Sequence, residues 1–195
     1  FCTLEEGQSV RKDKVLEQFK VSHDDAEFVQ GDDLKRTVAG IFEKLGVSPE
    51  DSLLAADVQV LADLRGVDSH GVSNMLKSYI QGYQEGSINP QPNWKVIRET
   101  PSTATVDSDR GLGTIITPKA MDIAIEKAKN VGLGMVTIGN ARHLGMASYH
   151  AMKALDHDMI GVCMTSCPPS VLPTFGAEPR LGTNPIAIAV PCLHE

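Results

Sequence analysis

At 195 residues the chain suits one domain, or one and a fraction, and can bury roughly two thirds of its unfolded surface. A formal charge of -7 and a pI near 5.3 argue against a nucleic-acid surface, which needs a basic excess; 42% hydrophobic and 22% charged residues are ordinary for a globular protein. No apolar run approaches the roughly 18 residues of a membrane span, no signal-peptide pattern opens the sequence, and Cys2, Cys163, Cys167 and Cys192 lack the density or spacing of a disulfide scaffold or zinc site.

Residues 1–31 are polar, mixed in charge and weakly periodic, with a short helix expected around Lys14 to Phe19. They read as an N-terminal extension, and the opening Phe suggests a missing or processed start. A helical unit is expected over 32–90. Asp32 or Asp33 offers the first cap, and Val38, Ile41, Phe42 and Leu45 form one face before Gly46. Ser48-Pro49-Glu50-Asp51 reads as a second start, with Ser48 as cap and Pro49 at the first helical position. Leu54, Val58 and Leu61 line that helix. A third follows, with Val72, Leu76, Tyr79, Ile80 and Tyr83 on one face and Ser69 as its expected N-cap. His70 then falls in a first helical turn, where the dipole disfavours imidazolium.

Ile88-Asn89-Pro90-Gln91-Pro92 is linker chemistry. From 91 to 195 the order is strand and helix alternating: strands at 94–99 and 103–106, a helix over 118–129, a strand at 135–138, a helix over 145–156, and strands at 160–165 and 186–190. Helices followed by alternating strands and helices predict an α/β layer structure. Cys163 lies in an apolar run and reads as a small core residue. A reducing cytoplasm fits the cysteine usage.

Chemistry is concentrated in three stretches. Arg65, Asp68, Ser69 and His70 fall within six residues, though from composition alone a plain loop with Ser69 as cap and His70 solvated is the simpler reading. Arg142-His143 leaves a strand and enters a helix, where α/β proteins place ligand-handling groups; His143 could equally be a loop histidine bonded to backbone. Thr165 to Pro185 is a long loop rich in hydroxyls, prolines and glycines, functional or simply an ordered connection. Gly111-Leu-Gly113-Thr is half of a dinucleotide fingerprint, with Ile116 where a third glycine is required; a glycine turn before a helix is the simpler reading. His143, His150 and His157 recur every seven residues, but that spacing rises about 10 Å along a helix and cannot share one metal ion, so His150 and His157 are expected on a helix face.

Taken together, Arg65-Gly-Val-Asp-Ser-His-Gly, Arg142-His143-Leu-Gly and Leu181-Gly-Thr-Asn-Pro resemble the malate/L-lactate dehydrogenase family that lacks a Rossmann fold, over about residues 32–191. That resemblance implies a helical N-terminal unit on a mixed α/β core, non-Rossmann nicotinamide binding with NAD or NADP, and a homodimer. It implies hydride transfer to or from a small 2-hydroxy or 2-oxo acid such as malate or lactate, with the cofactor supplying the hard step. His143 is expected as acid/base and His70 as polarising group or alternative donor, with Ser69 bonding the substrate or orienting His70. Ser166 and Cys167 resemble the lining of the nicotinamide pocket, and Thr183 and Asn184 the turn that closes it. Asn74 stands where the family usually has an arginine for the substrate carboxylate, leaving Lys77, Arg65 and Arg142 as candidate cations.

The resemblance also implies a longer chain. Ending at Glu195 predicts a fragment whose α/β core is incomplete, with exposed strand edges prone to association. A truncated chain that only binds or assembles with a partner is the rival from another class. A metal-dependent hydrolase using the histidines is a third reading.

Overall fold

The computed structural model of the protein describes residues 28–192. The expected N-terminal extension and its short helix fall outside the described residues up to position 27.

Helix α1, Gly31–Lys44, is capped at Gln30 rather than at an aspartate; Asp32 and Asp33 instead lie in its first turn, where their charges complement the helix dipole. It buries Val38, Ala39 and Phe42. Helix α2, Pro49–Leu64, starts as its sequence dictates: Ser48 Oγ accepts from Asp51 N–H at 3.3 Å, and Pro49 opens the helix. Burial then runs nearly all the way round it, through Ala55, Ala56, Val58, Gln59, Val60 and Ala62. A helix this enclosed is a central one, and α2 touches α1, α3 (Val72–Gln84), α4 (Gly113–Val131) and α5 (Ala147–Met152).

Strands β1, Lys95–Glu99, and β2, Thr103–Asp107, form an antiparallel pair; β3, Met135–Gly139, joins β2 in parallel after the α4 crossover. The core is shared across this boundary. Phe42, Tyr79, Tyr83 and Ile88 from the helices pack with Val106 of β2 and Leu112, Ile115 and Ile116 around the start of α4. The architecture is therefore mixed α/β with the helices packed on the sheet side, as expected.

Two helix boundaries differ from the sequence pattern. Helix α4 begins at Gly113, so Pro118 lies inside it; Gly113 to Pro118 are all buried, and that packing outweighs proline's preference for a first turn. Helix α5 is only Ala147–Met152, followed by a separate 3-10 turn, Leu155–His157.

Strands β4, Gly161–Met164, and β5, Ile186–Ala189, make a second, antiparallel sheet. Its Gly161 and Cys163 side is buried in contact with α5, and Cys163 packs as the sequence suggests. The other side carries Val162, Met164, Ile186 and Ile188 in the open, the last two 66% and 65% exposed. No helix among the described residues is long and apolar enough to cross a membrane.

Candidate active site

Three segments converge on one imidazole pair. His70 ends a 3-10 turn, Asp68–His70, between α2 and α3. His143 lies in the connection between β3 and α5. Their rings stack with centroids 5.4 Å apart and planes inclined by 23°. Tyr79, from the second half of α3, places its hydroxyl 2.7 Å from His143 Nδ1, and Gly145 N–H donates to the same nitrogen at 3.2 Å.

Those two contacts define the protonation of His143. A backbone N–H can only donate, so Nδ1 carries a lone pair and the neutral ring keeps its proton on Nε2. Tyr79 then donates as well. Burial raises the Tyr79 phenol well above its ordinary range, so it stays protonated. His143 itself is pushed down, first by burial and second by the neighbouring His70 ring. His70 has a simpler partner: Ser69 Oγ lies 2.9 Å from its Nδ1, and a hydroxyl can give or take that proton.

The expected cap at Ser69 is not what starts α3. Residues 68–70 bend into the 3-10 turn, Gly71 is the N-cap, and its side has no capping group of its own. Instead Asp63, at the end of α2, reaches across and accepts from Val72 N–H at 2.9 Å. A Cβ on Gly71 would overlap the Asp63 carboxylate, so the glycine is there for that approach. His70 consequently precedes α3, and the helix-dipole argument for its neutrality lapses. Asp63 carried no local sequence signal, because its partner is nine residues away and on another element.

The Gly111-Leu-Gly113 stretch is a glycine turn into α4. A Cβ on Gly113 would run into the Arg142 carbonyl oxygen and lie 2.7 Å from Leu144 Cα and 2.8 Å from the His143 carbonyl carbon. The glycine lets α4 abut the histidine loop. Arg142 N–H in turn donates to Gly111 O at 3.0 Å.

The other candidate residues divide into two groups. Arg65, Asn74 and Lys77 are exposed on the segments that flank His70. Asn74 donates its amide to Asp68 O at 2.7 Å, tying α3 to the 3-10 turn. Arg142 spends its Nε on Ser87 O at 2.7 Å and a second nitrogen on Ala141 O at 3.3 Å. Its guanidinium therefore anchors the histidine loop to the segment after α3. The second group is Ser166, Cys167, Thr183 and Asn184. Cys167 N–H donates to Asn184 Oδ1 at 2.9 Å and Thr183 Oγ1 to Cys167 Sγ at 3.2 Å, so the structure brings these four into one local unit. Beside them is an open groove of about 400 Å³ lined by Met164, Thr165, Ser166, Asn184, Pro185 and Ile186. Among the described residues, no hydrogen bond joins this unit to the histidine pair.

His150 lies on a helix as expected, on the buried face of α5, and it is His157 that falls beyond the helix. His150 is fully buried, with Nε2 2.8 Å from Leu144 O, whereas His157 is exposed in its 3-10 turn. Among the described residues, no group of three or more His, Cys, Asp or Glu side chains could hold a metal ion.

The sequence profile of the malate/L-lactate dehydrogenases matches residues 29–195. The chain belongs to this family. It is 48% identical to the malate dehydrogenase of Pyrococcus abyssi over 160 residues, which is 82% of this chain and 44% of that protein. It is 46% identical to the L-sulfolactate dehydrogenase of Methanocaldococcus jannaschii over 155 residues, 80% of this chain and 45% of that one. The solved structure of the malate dehydrogenase from Pyrococcus horikoshii superposes with a TM-score of 0.82 at 46% identity, covering 86% of this chain and 48% of the other. The chain thus spans about half the length of these family members.

Proposed function

We propose that this chain carries the acid/base part of an NAD(P)-dependent oxidoreductase acting on a small 2-hydroxy or 2-oxo acid. The observation that supports it is the stacked His70–His143 pair, two imidazoles from distant segments with different hydrogen-bond partners at Nδ1. His70 belongs to the helical unit of residues 32–90 and His143 to the α/β part of residues 91–195, a division we keep for this reading. A homodimer working in the cytoplasm belongs to the same proposal, and the free thiols of Cys163 and Cys167 suit a reducing compartment.

Reduction of a 2-oxo acid adds hydride to the carbonyl carbon and leaves an oxygen that needs a proton. The expected division made His143 the acid/base group. Its hydrogen bonds favour the reverse. With Nδ1 already accepting twice, neutral His143 has no vacant lone pair and offers only Nε2–H, a donor that polarises the carbonyl oxygen. His70 can cycle: protonated, it gives its proton to the substrate oxygen and becomes neutral, while Ser69 turns its hydroxyl to follow. Oxidation of the hydroxy acid runs the same transfer backwards. Burial, and then the neighbouring His70 ring, disfavours a positive charge on His143.

The Thr165–Asn184 groove suits a nicotinamide group. Met164, Pro185 and Ile186 supply an apolar wall for a flat ring, and Thr165, Ser166 and Asn184 supply hydroxyl and amide partners for a carboxamide. Cys167 and Thr183 hold Asn184 and the loop in register. The nicotinamide, as NAD or NADP, supplies hydride when bound.

For the substrate, malate and sulfolactate are both 2-hydroxy acids with two anionic ends. Arg65 and Lys77 are the exposed cations flanking His70, and we assign the anionic ends to them. Asn74 has Oδ1 left for the substrate hydroxyl, and Arg142 acts on the loop through Ser87.

NADH fluorescence and turnover with oxaloacetate or pyruvate test the reading. Saturable binding and turnover are expected, with turnover reduced about 10²–10⁴-fold in His70→Ala and about 10²–10³-fold in His143→Ala. Unchanged turnover in both variants would overturn the assignment. The rival reading, a fragment that binds or assembles without catalysis, draws support from the open Val162, Met164, Ile186 and Ile188 face. Absence of saturable NADH binding, with self-association, would favour it.

A further inference from the structure

Beyond the two facing histidines, one more imidazole is committed to this loop, and it is in the core. His150 is fully buried, its Nδ1 has no partner, and its Nε2 lies 2.8 Å from Leu144 O. A carbonyl oxygen only accepts, so His150 carries its proton on Nε2 and donates it. A buried histidine with one orphaned nitrogen is a poor choice for filling space, since an aliphatic side chain would bring no unsatisfied polar atom of its own. What the histidine provides is a donor aimed at one particular peptide.

That peptide is the link to the site. The carbonyl of Leu144 and the N–H of Gly145 belong to the same planar unit, and Gly145 N–H is the group that donates to His143 Nδ1. A planar amide cannot turn its oxygen without turning its N–H. Holding the oxygen on His150 therefore holds the N–H on His143. A hydrogen bond at the oxygen also polarises the amide and strengthens its N–H as a donor. Tyr79 cannot perform this task alone, because its hydroxyl either donates to Nδ1 or accepts from it. Only the backbone N–H distinguishes the two tautomers.

We propose that His150 is a positioning residue that fixes the tautomer of His143 through the Leu144–Gly145 peptide, keeping the His143 proton on Nε2. Its importance for catalysis rests on the role proposed above for His143. The test below reads ring nitrogens rather than turnover, so its failure and the failure of the redox reading are distinguishable.

The experiment uses the full chain labelled with 15N, and two-bond 1H–15N correlation spectra at neutral pH, which separate Nε2–H from Nδ1–H imidazoles. His143 is expected predominantly as the Nε2–H form in the wild type. His150→Gln places an amide N–H near the original Nε2 and should preserve that state. His150→Leu removes the donor and should lower the Nε2–H to Nδ1–H ratio of His143 about tenfold, the scale of one lost hydrogen bond. An unchanged ratio in folded His150→Leu overturns the proposal, as does a wild-type His143 that is mainly Nδ1–H. Should His150→Leu fail to fold, the wild type decides through the 15N–15N coupling across Gly145 N–H···Nδ1. A resolved coupling together with the Nε2–H tautomer retained in His150→Gln supports the proposal; no coupling, or a lost tautomer in that variant, overturns it.

Discussion

The junction of residues 63–72 with 142–150 and the loop of residues 165–185 are both places where the chain makes turns next to polar groups, but they are built differently. At the junction the backbone is held by close approaches: Asp63 fills the space in front of Gly71, Gly113 abuts the backbone of residues 142–144, and His150 stands behind Leu144. The loop is open, closes mainly on its own backbone through Val171 and Leu181, and exposes Phe175 completely. Tight packing on both sides fixes hydrogen-bond direction, and so the protonation of an imidazole. A loop bonded mainly to itself can position amides and hydroxyls but leaves its groove open to solvent.

Substitutions should separate the two regions by size of effect. Gly113→Ala should be the most damaging: its methyl has only backbone of the histidine loop to displace, a cost of about 3 kcal/mol. Urea denaturation measures it, and a loss below about 1 kcal/mol would mean that the junction yields more easily than its packing indicates.

Acid should act through the same junction. Burial holds His150 neutral with a pKa near 4, against an ordinary value of 6.5, and His143 is shifted in the same direction. The depressed value means that the unfolded chain takes up the proton first. The stabilising preference for neutral imidazole is whole above pH 6.5 and is lost as pH falls towards 4. His150 alone then removes about 2 kcal/mol of stability between pH 7 and pH 5. Urea midpoints at the two pH values check this, with His150→Gln expected to flatten the dependence.

Removing the Asp63 carboxylate is a smaller change. Asp63→Ala leaves Val72 N–H without its acceptor and should cost about 1 kcal/mol, while Asp63→Asn, which keeps an oxygen acceptor, should cost less. The comparison would be spoiled if both variants behaved alike. At the bottom of the scale, Phe175→Ser in the open loop should stay within about 0.5 kcal/mol of the parent by the same denaturation measurement.

Much of the fold was legible because it follows local rules. Ser48-Pro49 starts α2, the strand-like segment at 103–106 and the short strand read at 135–138 fall within β2 and β3, and Gly46 closes α1. The failures came where distant parts of the chain decide the outcome. Asp63 displaced Ser69 as the group that starts α3, and packing of Gly113 to Pro118 moved the start of α4 back past a proline. For the site, the two histidines were visible as motif residues, but Tyr79 read only as part of an apolar face. A buried tyrosine needs a partner for its hydroxyl, and that was the one available hint. Nothing local could show that His150 and His143 share a peptide.

The division of labour between the two facing imidazoles is the central claim, and the pH profile of kcat/KM with NADH and oxaloacetate tests it most directly. If His70 exchanges the proton and His143 only polarises, the ionisation limb disappears in His70→Gln and survives at reduced height in His143→Gln. A limb that vanishes in His143→Gln and persists in His70→Gln would contradict it.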